Sequence, residues 1–531
     1  MDYQLKKLRN SLLFIKIKHI NMDILFVIPS NDRVYQELKT TYSSIEPPTW
    51  GLLLAESCRS VGHEVGILDM NAENQSHEQG LQRIKELNPK WLCFVVYGQN
   101  VNAGTVSMYG ATQLSKYLKS SDCKIPNIFV GSYMQALPIK ALQDEPSIDI
   151  VLTNEGVYAL WALAGIQATT DPSTLGQING IGFRKDGKPF LTAPGKIVPQ
   201  ERMDIDLPGY AWDLLPKKEK PFDLYRAPMW HANYDANLRT PYATLFSSFG
   251  CKFGCNFCMI NIINRNDNDP IGVASNYKGM RYWSPEFILK QFDKLHEMGV
   301  STIRLCDEMF LLNSKYYVPI CEGLAKKEYS KDLLLWAYSR IDTVSKDPGV
   351  LKLLRKAGFR WLCLGIESGS QKIRLEISKG KFLDVDIRDV VKKIEEADIE
   401  VLGNYLFGHI GDDYESMKAT LDLSLELATR GWNAYAVMPL PGSQIYKEAL
   451  DKGDAMPTDY LGFSFHAYET FPMHTNHLSN KEVLKFRDDA FLTYHTNPKF
   501  LIRIKEKFGQ AAVDNILQMT KIKLQRQLHD K

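Results

Sequence analysis

The sequence predicts an α/β protein made of two successive blocks of alternating strand and helix, closed by a helical C-terminal segment. Three observations predict it. Short apolar runs alternate with amphipathic stretches of helical spacing from Met22 to Leu152, and again from Ala243 to Met438. Alternation of this kind specifies parallel strands covered by helices. At 531 residues the chain is too long for one ordinary core, so two or three domains are expected. In the second block polar clusters fall just after the strands, on the face where α/β folds carry their chemistry.

Composition narrows the function classes. With 44% apolar and 24% charged residues the chain is an ordinary globular one. A net charge of +2 gives no field that favours nucleic acid or a membrane surface. Nine irregularly placed Cys and no secretory leader point to the reducing cytoplasm. No apolar run is long enough to be a transmembrane segment. Residues 1–21 mix Lys6, Lys7, Arg9, Lys16 and Lys18 with Leu, Phe and Ile. This extension suits an amphipathic surface helix, but a loosely tied terminus or a start-site artefact is the favoured reading, since Met22 opens a clean strand.

The first block, residues 22–165, opens with the strand Ile24–Ile28, stopped by Pro29. The helix Trp50–Val61 offers Leu52, Leu53, Ala55 and Cys58 to a buried face and ends at Gly62-His63. Glu64–Leu68 is the second strand. A helix through Leu81–Leu87 precedes the strand Trp91–Tyr97, and Thr105–Leu118 is helical before the strand Asn127–Val130. Ala136–Gln143 is helical, and Ile148–Leu152 is the last strand. Ligands of such sheets bind beyond the carboxyl ends of strands. The candidate lining is therefore Pro29–Ser30, Asp69–Asn71, Tyr97 with Gly98 and Gln99, Gly131 with Ser132 and Tyr133, and Asn154 with Glu155 and Gly156. No G-x-G-x-x-G follows the first strand, so dinucleotide binding is disfavoured.

Residues 166–235 read as a linker. Asp186-Gly187 between apolar runs predicts a hairpin over Ile181–Phe190, and Pro208, Pro216, Pro221 and Pro228 punctuate a surface path. The second block, residues 236–455, has strands at Ala243–Phe246, Thr302–Leu305, Leu333–Tyr338, Trp361–Leu364, Val401–Phe407 and Ala434–Met438. Helices at Pro285–Met298, Tyr317–Lys326, Val350–Ala357, Val385–Ala397 and Tyr414–Ala428 separate the later ones. That makes six β/α units, against eight in a full barrel. Residues 456–531 lose the rhythm. An aromatic patch from Phe463 to Met473 precedes helices at Lys481–Tyr494 and Lys499–Phe508 and a basic tail.

Cys251, Cys255 and Cys258 lie in Ser-Phe-Gly-Cys-Lys-Phe-Gly-Cys-Asn-Phe-Cys, a C-x3-C-x2-C spacing with no fourth cysteine nearby. Three thiolates hold three irons of a cubane cluster and leave the fourth iron open to a non-protein ligand. Structural zinc wants four ligands, and no second knuckle follows. Buried thiols would be scattered among apolar residues, whereas these sit in a Gly-rich loop.

These cysteines, Phe257 before the last of them, and Gly365-Ile366-Glu367-Ser368-Gly369-Ser370 resemble the radical S-adenosylmethionine (SAM) enzymes across about residues 240–450. The resemblance implies a partial (β/α)6 barrel and a [4Fe-4S] cluster whose open iron is chelated by S-adenosyl-L-methionine. It implies that one electron from the cluster breaks a C–S bond and releases a 5′-deoxyadenosyl radical, with flavodoxin or ferredoxin as electron donor. Phe257 would lie near the adenine, and Glu367 and Ser368 against the methionine or ribose portion. Asp307 and Glu308 would approach the amino group, although Cys306-Asp307-Glu308 departs from the Gly-Gly-Glu-like element of the family. Arg340 is either a carboxylate partner or a salt-bridge residue. Cys306, Cys321 and Cys363 read as packed thiols, His409 as substrate-facing or structural, and Tyr405 and Tyr435 as barrel filling.

Upstream, Glu46-Pro47-Pro48-Thr49-Trp50-Gly51-Leu52, Gly62-His63-Glu64-Val65, Val130-Gly131-Ser132 and Asn154-Glu155-Gly156 resemble a cobalamin-binding domain, flavodoxin-like or Rossmann-like in fold. The resemblance implies cofactor contacts from Gly98, Gln99, Gly131, Ser132, Glu155 and Gly156. The D-x-H-x-x-G sequence that brings a histidine to cobalt is absent, so a bound cobalamin would lack that ligand. A cofactor-free domain is the alternative. Taken together, the order of parts resembles the cobalamin-dependent radical SAM methyltransferases, which implies methylation of an unactivated carbon or phosphorus. A radical cyclase or oxidoreductase and a non-catalytic cobalamin or redox sensor are the other readings. A methylthiotransferase is disfavoured because Cys58, Cys93 and Cys123 are dispersed. The substrate, whether small molecule, lipid or natural product, stays open.

Overall fold

The computed structural model describes residues 22–30, 33–98, 100–377 and 385–530. The extension over residues 1–21 and Gln99 lie outside them. In the first layer, β1 (Ile24–Ile28), β2 (Val65–Asp69), β3 (Trp91–Val96), β4 (Asn127–Gly131) and β5 (Ile150–Leu152) pair in parallel in the order 2-1-3-4-5. This is the flavodoxin-like order, which puts the ligand crevice at the β1/β3 switch point. Every residue of β3 is buried. Helices covering both faces of the sheet are why it reads as an unbroken apolar run. The expected helix Ala136–Gln143 divides into Ser132–Ala136 and Pro138–Asp144, because Pro138 has no N–H to continue the first piece.

The predicted hairpin forms, as β6 (Ile181–Lys185) and β7 (Lys188–Leu191). Its turn residues Asp186 and Gly187 both take positive φ, 52° and 74°, as a tight primed turn requires. It is no part of a free linker: β6 pairs antiparallel with β5, so the first sheet runs on to Leu191.

Linker and first layer also meet at Asp69. Its carboxylate accepts from the Ala72 N–H at 3.0 Å and from the Tyr225 hydroxyl at 2.9 Å. Burial pushes this acid up from 3.8 to about 6. A raised folded value means that the native state holds the proton more tightly than the unfolded chain. Asp69 therefore favours folding most below about pH 4, and that contribution is lost as pH rises through 6. The shift corresponds to roughly 3 kcal/mol. In Asp69→Asn, urea midpoints between pH 4 and 6 should lose this slope.

The second layer begins with β8 (Tyr242–Leu245). An antiparallel pair follows, β9 (Ser248–Cys251) with β10 (Gly279–Tyr282). Then come β11 (Thr302–Leu305), β12 (Leu334–Arg340), β13 (Phe359–Glu367), β14 (Glu400–Phe407) and β15 (Gly431–Ala436). β8 and β11–β15 pair in parallel in chain order as a curled half-barrel. The helix Asn480–His495 packs on the edge strand, where Arg487 Nε donates to the Ala434 carbonyl at 2.8 Å. A Ser479/Glu482 capping box starts that helix. A third C-terminal helix, Gln510–Met519, was not expected from the sequence. Among the described residues no helix is long and apolar enough to cross a membrane.

The two layers are pinned by a buried ion pair. Glu46, in the connection after β1, takes both its carboxylate oxygens to Arg304 Nη1 on β11, at 2.8 and 2.7 Å. Both side chains are less than a tenth exposed.

Candidate active site

The cysteine loop is set by its surroundings rather than by its own helix or strand. Cys251 ends β9. Its N–H donates to Asn261 Oδ1 at 2.7 Å, and Asn261 Nδ2 donates to the Phe253 carbonyl at 3.2 Å, so one amide fixes both ends of the turn. The Phe253 N–H points at Cys251 Sγ, 3.5 Å away. Of nine free cysteines, Cys251, Cys255 and Cys258 are the three that are partly exposed. With no metal in place, burial pushes the Cys251 thiol up to about 11, helped by Cys255 and Glu308 nearby. Among the described residues no three His, Cys, Asp or Glu side chains converge on a single ion. A cubane asks for something different, because each thiolate takes its own iron at a separate corner. Three thiols on one short loop, facing a cavity, fit that demand.

Gly250 makes the loop possible. Its φ is +85°, and a Cβ there would fall 2.1 Å from the Gly279 carbonyl oxygen across the β9–β10 pair. Gly250→Ala should force this pair apart, at a cost of about 1–3 kcal/mol. Iron bound per chain should drop, while far-ultraviolet dichroism stays unchanged.

One cavity of about 1480 Å³ is lined by all three cysteines and by the carboxyl ends of the half-barrel strands. Phe257, Glu308, Arg340 and Glu367 all line it. Glu367 is held at φ +65° where the β13–β14 register shifts, a bulge that turns the chain end towards the cavity. Burial pushes the Glu308 carboxyl up to about 7, and among the described residues its Oε1 finds no hydrogen-bond partner. Arg340 forms two hydrogen bonds with Asp342, at 2.8 and 3.1 Å, and lies 3.8 Å from the centre of the Phe253 ring in the cysteine loop. The Phe257 ring is 5.7 Å from that of His409.

Other expected residues stand elsewhere. Asp307 does not line the cavity. Its carboxylate accepts from the Ser247 N–H and hydroxyl and from the Ser248 hydroxyl, and so braces the turn from β8 into β9. Ser368 is fully buried and spends its hydroxyl on Thr420 and the Ser370 N–H. In the first layer Gly98 lines the cavity, with Pro29, Asn71 and Tyr97. Gly131, Ser132, Glu155 and Gly156 do not. Ser132 donates to the Val101 carbonyl at 2.8 Å, and Glu155 is a buried partner of Arg281 at 2.7 Å. β4 and β5 thus end in packing contacts, while β1, β2 and β3 end at the cavity. His63 sits 3.6 Å from Asp23, away from the cavity lining.

The sequence reading missed Asn102, whose Oδ1 accepts from the Met259 N–H at 3.1 Å and joins the β3 end to the cysteine loop. It missed Phe253, the ring under Arg340. Strand alternation carried a usable signal for Tyr338, Asn404 and Asn433. Each lies an even number of residues from Arg340, Leu406 or Tyr435, all of which line the cavity.

Residues 245–424 match the model of the Radical SAM superfamily. This stretch is a radical SAM domain. The radical SAM domain holds the cysteine loop, Glu308, Arg340 and Glu367. Over 91% of this chain and 94% of the relative, an uncharacterized methyltransferase of Pyrococcus horikoshii is 25% identical. The anaerobic magnesium-protoporphyrin IX monomethyl ester cyclase of Cereibacter sphaeroides is 22% identical over 84% of this chain and 66% of its own. Among solved structures, the radical SAM methyltransferase TsrM of Kitasatospora setae, with cobalamin and a [4Fe-4S] cluster bound, superposes with a TM-score of 0.59. The match covers 82% of this chain and 78% of TsrM at 14% identity, and so speaks for a common fold.

Proposed function

We propose that this protein is a radical SAM enzyme that transfers a methyl group to an unactivated carbon or phosphorus of a small molecule, with cobalamin bound against the first layer. One observation carries the reading: a single cavity is lined both by the cysteine loop and by the carboxyl ends of β1, β2 and β3. Two reactive groups meet one substrate only if their sites open on each other. When bound, the cluster would supply the electron that cleaves SAM, and cobalamin the methyl group.

The protein's own part is positional. Cys251, Cys255 and Cys258 would hold three irons. Glu308 and Glu367 stand where they can accept hydrogen bonds from a SAM ammonium or ribose, and Phe257 offers a ring to the adenine. Asn71, Gly98 and Asn102 offer small or neutral hydrogen-bonding groups to cobalamin. The Glu46 connection and the C-terminal segment form part of the cavity wall, and such walls would help to keep water from the reacting atoms. A flavodoxin or ferredoxin in the cytoplasm would supply the electron.

Anaerobic reconstitution with iron, sulfide and cobalamin, then incubation with methyl-labelled SAM and a cell extract, tests this. Label in a product other than methylcobalamin supports it; label that never leaves the cobalamin refutes methyl transfer. The similarity to a cyclase over 84% of this chain favours a second reading, ring formation without methyl transfer. That reading predicts 5′-deoxyadenosine without labelled product.

A further inference from the structure

The cavity does not stop at the strand ends. Side chains two residues apart on a strand share a face, so the half-barrel interior is built in levels about 7 Å apart. The upper level is Glu308, Arg340 and Glu367. One level down, Cys306, Tyr338, Asn404 and Tyr435 line the cavity, with Gly365 adding no side chain. Two levels down, about 13 Å below Arg340, come Arg304 and Trp336. In a closed barrel these levels would be packed solid. Here glycine and cysteine leave room between the aromatic walls.

The walls are flat and hydrogen-bonding. Trp230 packs at 5.1 Å against Trp336, Trp336 at 5.4 Å against Tyr338, and Tyr435 at 4.3 Å against Phe465. Tyr35, from the first layer, lines the same space. Among the described residues the hydroxyls of Tyr35, Tyr338 and Tyr435 have no hydrogen-bond partner, and burial keeps all three phenols protonated. Asn433 Nδ2 donates to Asn404 Oδ1 at 3.3 Å, which leaves the Asn433 oxygen without a donor.

Charge is already spent. Arg304 is matched by Glu46, and Arg340 is held by Asp342. The arginines here thus already hold carboxylate partners, Arg487 included through Asp488, and an anionic ligand would have to share them. A hydrocarbon would leave three phenols and an amide desolvated without partners, which is costly for each group.

We infer that the substrate is a neutral, planar, unsaturated ring compound bearing oxygen or nitrogen hydrogen-bonding groups, seated in the half-barrel against Tyr338 and Tyr435 with the Asn404–Asn433 pair at its edge. The inference rests on the proposal that chemistry begins at the cysteine loop. It names the class of molecule this loop acts on.

Three probes on the same bicyclic ten-carbon ring skeleton separate the alternatives: 2-naphthol (neutral and planar), 2-naphthoate (planar and charged) and decahydro-2-naphthol (neutral and puckered). Their binding to the anaerobically reconstituted holoenzyme is measured by calorimetry. 2-Naphthol should bind at least about tenfold more tightly than either of the others. Tyr435→Phe and Asn433→Leu should each lose about tenfold for 2-naphthol. Tyr435→Phe removes one oxygen and nothing else, so folding is not at risk. Equal or tighter binding of the puckered alcohol or the anion overturns the inference, as does 2-naphthol affinity indifferent to both variants. SAM cleavage is followed in the same preparations. Cleavage without selective 2-naphthol binding sinks this inference alone. Selective binding without cleavage sinks the radical reading and leaves the ring pocket standing.

Discussion

Replacing Cys255 with alanine should abolish SAM cleavage. The variant keeps two thiolates of three, and two corners do not retain a cubane. Removing even an outer partner of a metal ligand costs ten- to a hundredfold, so loss of a ligand itself should exceed about a hundredfold. Iron per chain and the charge-transfer absorption near the visible should fall together with 5′-deoxyadenosine formation. Cys321→Ala is the matched control. Cys321 is fully buried in the helix Ser314–Ala325 and takes no part in the cavity lining, so its removal should leave iron and cleavage intact. Unchanged iron in Cys255→Ala would overturn the assignment of the loop.

The second large effect concerns stability. Arg304→Met should cost about 3–5 kcal/mol, because it strands the Glu46 carboxylate without its partner in a buried place. Burial already pushes that acid up, and Arg304 is the main force acting against it. Adding Glu46→Gln should restore much of the loss, since the double variant has no buried charge to compensate. Chemical denaturation of the two single variants and the double variant measures the coupling. A single variant within about 1 kcal/mol of wild type would show the pair to be ornamental. Because Glu46 belongs to the first layer and Arg304 to the half-barrel, limited proteolysis should also cut Arg304→Met faster between the two.

Much of this was legible in the sequence because parallel strands buried on both faces write themselves as apolar runs. Trp91–Val96 and Val401–Phe407 are examples. The cysteine loop stood out because Cys251, Cys255 and Cys258 share one short C-x3-C-x2-C spacing. What stayed hidden has physical reasons. β9 and β10 are short, carry two of the loop's own residues, and read as loop. The β6–β7 hairpin was seen, but its docking on β5 is a tertiary choice no local signal encodes. Asp307 and Glu308 are neighbours in sequence and face opposite ways, one bracing Ser247 and Ser248, the other lining the cavity. Period-two alternation from Arg304 through Cys306 would have separated them. Glu155 and Ser132 follow strands as ligand residues do, yet β4 and β5 end in protein contacts with Arg281 and Val101. Strand ends alone do not say which of them a neighbouring domain will cover.

The Glu46–Arg304 pair also sets an order of events during synthesis. The partners are 258 residues apart. A ribosome adding about 5–20 residues each second takes roughly 10–50 s to pass from one to the other. The first layer is complete at Leu191, well before Arg304 has been made. Through that interval the Glu46 carboxylate waits for its partner, while the connection carrying it can already meet Arg226 and Arg239. The ion pair between the two layers is therefore made late, after the neighbouring backbone contacts of the same connection have become available.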